Sequence, residues 1–104
     1  MKAVLPWFAE EYKHLDPDFA ELINQVIEKA MRPEALDEKT AHLIVLALDA
    51  AKGSSEGVGT VAEKARAAGA SEQEIKEALR LAYYVSGMDT LKTFLSASEF
   101  KGGK

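Results

Sequence analysis

Residues 37–69 read DEKTAHLIVLALDAAKGSSEGVGTVAEKARAAG and predict two central helices joined by a polar turn. The first, Thr40 to Ala51, carries the run Leu43 to Leu48, which is apolar on every face, and a helix of that kind is normally buried. The second, Val58 to Ala68, has small inner residues that allow close approach of another backbone. The turn at 52–57 precedes a helix N-terminus, where free N–H groups and the dipole favour anions. We therefore expect any chemistry at this turn.

The composition is that of one small acidic domain. A chain of 104 residues with 47% hydrophobic content can form a modest core. A net charge of -4 argues against nucleic acid or anionic membrane as the main partner. The absence of cysteine excludes disulfides, thiolate catalysis and thiolate metal sites. No apolar run reaches the roughly 18 residues of a membrane span, and acidic residues follow early at Glu10 and Glu11, so we expect a cytoplasmic protein.

Helix boundaries before the central pair follow from proline and capping residues. Residues from Pro6 to Leu15 predict a short helical arm. Asp16 and Pro17 predict the N-cap and first turn of a second helix, whose apolar residues recur at i, i+3 and i+4. That helix should end by Arg32, because the residue before a proline is pushed out of the α region. Asp37 should cap the helix that follows, with Glu38 in its first turn. We expect one domain with an arm at 1–15, a core at 16–98 and a flexible tail at 101–104.

The helix boundaries after the central pair are also predicted from neighbouring residues. Gly69 fits the position just beyond a helix, and Ser71 with Glu74 forms a capping box that opens the next one. The apolar stripe of that helix widens across 81–85, so it needs two partners. Gly87 is expected to interrupt it, leaving a last short helix. Nothing alternates with period 2, and the predicted class is therefore all-α, with about five or six helices.

His42 is the first candidate for catalysis. It lies on the first central helix, about twelve residues before the turn, and would reach the turn only after the helix pair folds back. It is either a proton carrier or a histidine at the edge of the core, bonded to a carbonyl or water. His14 is interpreted as exposed. Because two histidines without metal-ligand spacing cannot build a zinc site, we predict no metal and no cofactor.

Three further candidates are Ser54, Glu56 and Tyr84. Ser54 is a nucleophile only with a base in reach, and His42 is the one base on offer; otherwise it caps the second central helix. Glu56 is a partner of the helix dipole, or a general acid or base if the turn is desolvated. Tyr84 is a core aromatic, or a phenol that lines a cavity and donates a proton.

The order of these features resembles the carboxymuconolactone decarboxylase and alkylhydroperoxidase D (AhpD) superfamily. The resemblance rests on the order of five features along the chain. These are residues 36–40 followed by an apolar helix, Lys52-Gly53, a second helix, residues 68–75 and residues 77–80. It covers about residues 16–98. It implies an AhpD-like helical fold with a central antiparallel helix pair. It also implies that the main partner is the chain itself, in homotrimers or homohexamers formed through apolar helical faces.

The redox branch of that superfamily carries Cys-x-x-Cys, a histidine four residues later and a glutamate about three turns upstream. On this chain the cysteine positions fall at Ser54 and Gly57, the histidine at Val61 and the glutamate at His42. Serine supplies no thiolate at neutral pH, glycine has no side chain, and valine relays no protons. Peroxide reduction by the family route is therefore excluded.

The decarboxylase branch works without cysteine. It needs a proton donor and groups that anchor a small organic acid or lactone. On this chain the turn at 54–57, with His42 as proton carrier and Tyr84 as donor, is the assembly that fits, and Lys52 is the cation beside it.

Three hypotheses about function follow. The first is an oligomeric binding or scaffold protein without redox chemistry, and the second is a cofactor-free lyase that uses His42. The third is an interaction module that docks through Trp7 and Phe8. A concave polar pocket around His42 would favour the lyase, whereas an apolar closed turn would favour the scaffold.

Overall fold

The computed structural model describes the backbone of residues 7–97 and the side chains of residues 9–96. Within that range the chain forms five α-helices and no strand, which confirms the all-α prediction. They are α1 (Trp7–Leu15), α2 (Pro17–Ala30), α3 (Glu38–Lys52), α4 (Ser55–Ala67) and α5 (Glu72–Ala97). Two compact units divide between Ala41 and His42. Pro6, Ser98, the predicted tail at 101–104 and the side chains of Trp7 and Phe8 lie outside the described residues.

In the first unit, α1 packs against α2. The rings of Tyr12 and Phe19 meet edge to face, with centroids 6.3 Å apart. Asp16 is the N-cap of α2, as predicted, because its Oδ1 accepts the N–H of Phe19 at 3.2 Å. Outside this contact the apolar stripe of α2 stays uncovered, since Leu22 is 56% and Val26 66% exposed.

Asp37 begins α3 as predicted. Its Oδ1 accepts the N–H of Thr40 at 2.7 Å. Hydrogen bonds from Thr40 hold the pKa of Asp37 below its usual range, because they stabilise the charged carboxylate. The cap is therefore stronger when Asp37 is ionised.

The second unit has its core where α3, α4 and α5 meet. Leu46 of α3 is fully buried. It clusters with small residues of α4, as the sequence predicted, and with one large residue of α5. The cluster consists of Leu46, Ala62, Ala65, Ala70 and Ile75, and Leu43, Val58, Val61 and Leu79 pack against it.

The prediction that α3 is buried on every face is wrong for this chain. Leu46 is buried, but Ile44 is 44% and Leu48 59% exposed. In this unit α4 and α5 cover one side of α3, and two helices do not enclose a third. The apolar outer face of α3 is therefore left at the surface.

The junction of α4 and α5 is made as the sequence predicted. Gly69 has φ +103°, and the next residue, Ala70, donates its N–H back to the carbonyl of Ala65 at 2.9 Å. Ser71 and Glu74 form the reciprocal capping box, with bonds of 3.0 and 2.9 Å. The free backbone groups at the end of α4 and at the start of α5 are thus hydrogen-bonded by nearby residues.

Two helix boundaries differ from the prediction by more than two residues. Gly87 does not interrupt α5, which runs unbroken for 26 residues. A glycine inside a helix costs about 1 kcal/mol but does not end it, and here the ring of Tyr83 lies beside its open side. The second central helix begins at Ser55 rather than Val58, because Glu56 and Gly57 join its first turn.

Candidate functional site

The candidate site is the turn between α3 and α4. Gly53 takes the left-handed conformation, with φ +78°, and the N–H of Ser54 donates to the carbonyl of Asp49 at 2.9 Å. This is the same way of ending a helix as at Gly69. The polar turn is therefore held by backbone bonds, and its side chains are not needed to shape it.

Ser54 occupies the N-cap position of α4, as predicted, but its side chain makes no capping hydrogen bond. Its carbonyl accepts the N–H of Val58 at 2.9 Å. The residue is exposed. The prediction was right about the position of Ser54 and wrong about the hydroxyl as the capping group.

The carboxylate of Asp49 lies against the first turn of α4. A Cβ built on Gly57 would fall 2.7 Å from Asp49 Oδ2 and 3.1 Å from Ser54 Oγ, so the missing side chain of Gly57 makes room for both. Negative charge is favoured at this end of a helix. The anion preference expected at the turn is therefore met, at least in part, by a carboxylate of the chain itself.

Asp49 was not among the site residues predicted from the sequence. The signal that would have found it is its spacing, because Asp49 follows the buried Leu46 by three residues and His42 by seven, which places all three on one face of α3. Its nearness to Gly57, however, depends on how α3 and α4 pack. That packing is not encoded in any local motif.

His42 is only 4% exposed and is the one buried polar side chain among the described residues. It precedes the end of α3 at Lys52 by ten residues, which corresponds to about 15 Å along the helix axis. Ser54 and Glu56 lie beyond that end. The structure therefore separates His42 from the turn, and within one chain it does not bring these candidates together.

The other two candidates are at the surface. Glu56 is exposed in the first turn of α4, which is the position expected of a dipole partner. Tyr84 is 62% exposed on α5, so it is not a core aromatic of this chain. The role of each in catalysis stays a prediction.

Two shallow depressions are present in the described part of the chain. One, of about 290 Å³, is lined by Arg32, Pro33, Leu36 and Glu38. The other, of about 370 Å³, is lined by Asp89, Thr90, Thr93 and Phe94. Neither contains any of the four predicted site residues. Arg32 is engaged by Glu28, with 3.0 Å between its Nη2 and Glu28 Oε2.

Between residues 7 and 97 there is no group of three or more His, Cys, Asp or Glu side chains able to hold a metal ion. No helix in that range combines the length and the apolar character needed to cross a membrane.

Comparison with known proteins gives one result that bears on lineage. Residues 17–99 match the sequence model of the Carboxymuconolactone decarboxylase family. Neither the curated proteins nor the solved structures gave a match. The family match spans most of the chain and covers α2 to α5. The chain therefore belongs to the carboxymuconolactone decarboxylase family.

Proposed function

We propose that this protein is a small oligomeric helical scaffold or binding protein without thiol redox activity. The observation that carries the proposal is the content of the turn at the start of α4. Ser54 and Gly57 stand there, and the carboxylate of Asp49 lies against the same turn. A turn with this content offers no thiol, and a carboxylate of the chain already lies beside it.

The negative charge of Asp49 argues against a reaction at the turn whose substrate is an organic acid. A second carboxylate at about 4 Å from Asp49 would be repelled by about 4 kcal/mol in the effective dielectric of a protein surface. That is comparable to the whole binding free energy of a millimolar ligand, about -4 kcal/mol. An organic acid is therefore a poor ligand for the α4 N-terminus beside Asp49.

Self-association is supported by the apolar side chains that the single chain leaves exposed. They occur in both units, with α2 and α5 carrying most of them. Among them are Phe19, Leu22, Val26, Leu81, Val85, Leu91 and Leu95, each at least half exposed. Contiguous exposed apolar surface typically marks an interface, and a homotrimer or homohexamer would cover it.

Two measurements test this proposal together. Light scattering on the eluting protein should give a mass that is a multiple of 11.3 kDa at micromolar concentration. A peroxide assay with a thiol reductant should show no consumption above the rate without protein. A monomer in dilute native buffer contradicts the oligomer, and protein-dependent loss of peroxide contradicts the absence of redox chemistry.

The alternative is a cofactor-free lyase that acts on a small organic acid or lactone, and the burial of His42 favours it. Histidine is the side chain that most often transfers protons in catalysis, so a histidine in the core is a candidate proton carrier. In such a reaction the bond to the carboxylate breaks, carbon dioxide leaves, and the carbon that keeps the electron pair takes a proton from His42. The pocket would have to form around His42, away from the turn.

A thermal-shift screen separates the two functions. Mono-, di- and tricarboxylates and lactones are tested against the wild type, His42→Ala and, as a matched control, His14→Ala at an exposed histidine. A ligand at a hundredfold excess over its Kd stabilises the folded state by about 2.7 kcal/mol, which is several degrees for a small domain. The scaffold proposal expects no shift. A shift retained by His14→Ala and lost by His42→Ala supports the lyase.

A further inference from the structure

The depression at the start of α3 is lined by two opposite charges and an apolar wall. Its volume is about 290 Å³. Arg32 and Glu38 supply the charges, and Pro33 and Leu36 supply the wall. The other depression, on α5, is lined by a carboxylate but by no cation. Of the two, the depression at the start of α3 is therefore the one that can bind groups of both signs.

The backbone around this depression is fixed at both ends. The N–H of Met31 donates to the carbonyl of Ile27 at 2.9 Å, where α2 ends. Asp37 Oδ1 accepts the N–H of Thr40 at 2.7 Å, where α3 begins. Between these ends, Pro33 restricts the backbone because its ring locks φ. The lining is thus largely in place before a ligand arrives, which lowers the entropy cost of binding.

Arg32 is only partly engaged within the chain. Its Nη2 lies 3.0 Å from Glu28 Oε2, but a guanidinium has several further N–H donors. The side chain is 56% exposed, so a ligand can reach it. A guanidinium suits a carboxylate, because two of its N–H groups can face the two oxygens at once. Arg32 therefore favours a carboxylate as its ligand.

Glu38 favours a group of the opposite charge. It is exposed in the first turn of α3. The two oxygens of a carboxylate accept hydrogen bonds from several directions, so Glu38 can bind a ligand in addition to a partner within the chain. Hydrogen bonds between an ammonium and a carboxylate are stronger than those between neutral groups. An ammonium is therefore the group that Glu38 favours.

A ligand with a single charge would meet one attractive and one repulsive group. A simple acid would be attracted by Arg32 and repelled by Glu38, and a simple amine would experience the reverse. A zwitterion can place each of its charges beside the opposite one. An aliphatic chain on the same ligand would cover Leu36, which is 48% exposed, and the burial of apolar surface favours binding.

We propose that this depression binds a small zwitterion with an aliphatic chain, such as a free aliphatic amino acid. Its carboxylate lies on Arg32 and its ammonium on Glu38. The site goes beyond the scaffold proposed above, because all its lining residues belong to the first unit and it needs no second copy. It also contains none of the four site residues predicted from the sequence. Because both charged groups are exposed, the Kd should be millimolar.

The first test compares three related ligands on the wild type. Free leucine carries both charges, 4-methylpentanoate lacks the ammonium, and 3-methylbutylamine lacks the carboxylate. Titration followed by amide NMR should give saturable shifts at Arg32, Leu36 and Glu38 with leucine. The other two ligands should bind about fivefold more weakly, because each loses one ion pair. Equal affinity for all three, or no saturable shift at these residues, overturns the site.

The second test removes each charge of the depression in turn. Arg32→Gln and Glu38→Gln should each weaken leucine binding about fivefold. Arg80→Gln and Glu63→Gln remove the same charges from exposed residues of the second unit, and they should leave the affinity unchanged. Full affinity in either variant of the depression overturns the site, and so does an equal loss in the two controls.

The same variants should also change which ligand is preferred. Glu38→Gln removes the charge that repels a simple acid, so it should bind 4-methylpentanoate more tightly than the wild type does. Arg32→Gln should likewise bind 3-methylbutylamine more tightly. A residue that only maintains the fold would not produce this exchange, so its absence in folded variants overturns the assignment of the two charges. The three ligands on the wild type decide the matter even if a variant does not fold.

Failure of this site is distinguishable from failure of the proposed function. An oligomer of the expected mass that does not bind leucine overturns the site and leaves the scaffold standing. A monomer that binds leucine at these residues overturns the oligomer and supports the site.

Discussion

The two halves of α5 are one continuous helix held in different ways. The first half, from Glu72 to Ala82, begins at a capping box and buries Ile75, Ala78 and Ala82 within its own unit. The second half buries no side chain up to Ser96 and contains Gly87. The first half is thus stabilised by contacts within its own unit, whereas the second half leaves its apolar side chains exposed. The following predictions test this difference, beginning with the largest expected effect.

Leu46→Ala should remove the contact that holds the first half of α5 in place. Leu46 is fully buried in the cluster that contains Ile75, and truncating such a leucine leaves a cavity that costs about 2–5 kcal/mol. Urea unfolding at one fixed protein concentration measures the loss. Leu48→Ala, on the same helix but 59% exposed, is the control. If both variants lose the same stability, the core is not where we describe it.

Ser71→Ala should weaken the start of α5. The variant leaves the N–H of Glu74 without its acceptor, the Ser71 Oγ at 3.0 Å, and the loss of such a cap costs about 1 kcal/mol. Ser86→Ala, in the second half, should be neutral or slightly stabilising, because alanine is the better helix former there. Urea unfolding gives the free energy of unfolding of each variant for comparison. Equal destabilisation would show that the capping box does not hold the first half.

Gly87→Ala should strengthen the second half. The new Cβ would lie 3.5 Å from the ring of Tyr83, an ordinary contact, and alanine gains about 0.5–1 kcal/mol over glycine inside a helix. Thermal unfolding should show a rise in Tm of a few degrees. Gly69→Ala is the control, and it should lower Tm, because Gly69 has φ +103°. A fall in Tm for Gly87→Ala would mean that the second half is packed more tightly than its exposure indicates.

Acid should weaken the start of α5 by a smaller amount. Arg66 Nε lies 2.6 Å from Glu72 Oε2, and this hydrogen bond holds the pKa of Glu72 below its usual range. A carboxyl group with a lowered pKa stabilises the fold fully above its unfolded pKa, and this contribution is lost as pH falls through the folded pKa. The wild type should therefore lose more stability between pH 7 and pH 3 than Glu72→Gln does. An equal loss would show that the Arg66 pair contributes nothing.

The sequence correctly predicted those parts of the fold in which a capping residue lies close in the chain to the backbone group that it binds. Asp16, Asp37 and Ser71 each accept a hydrogen bond from three residues ahead, and Gly69 needs only its own backbone conformation. Each of these features can be recognised from a few consecutive residues of the sequence. The boundary predicted at Gly87 failed because a glycine inside a helix weakens it without ending it.

The parts that the sequence did not predict depend on packing. The outer face of α3, with Ile44 and Leu48, was predicted to be buried, but one chain offers too few helices to cover it. At the site, Ser54 was correctly placed at the start of α4. The neighbouring carboxylate of Asp49 was missed, because it meets Gly57 only when α3 and α4 pack. The distance between His42 and the turn likewise follows from the straight run of α3.

The junction between α4 and α5 also bears on the order of folding. The bond from Ala70 to Ala65 and the capping box at Ser71 close loops of only a few residues, and loops of that size close in tens of nanoseconds. Such contacts cost little chain entropy and form before those that span many residues. The α4–α5 hairpin should therefore be structured at the rate-limiting step, so Ser71→Ala should slow folding more than it speeds unfolding.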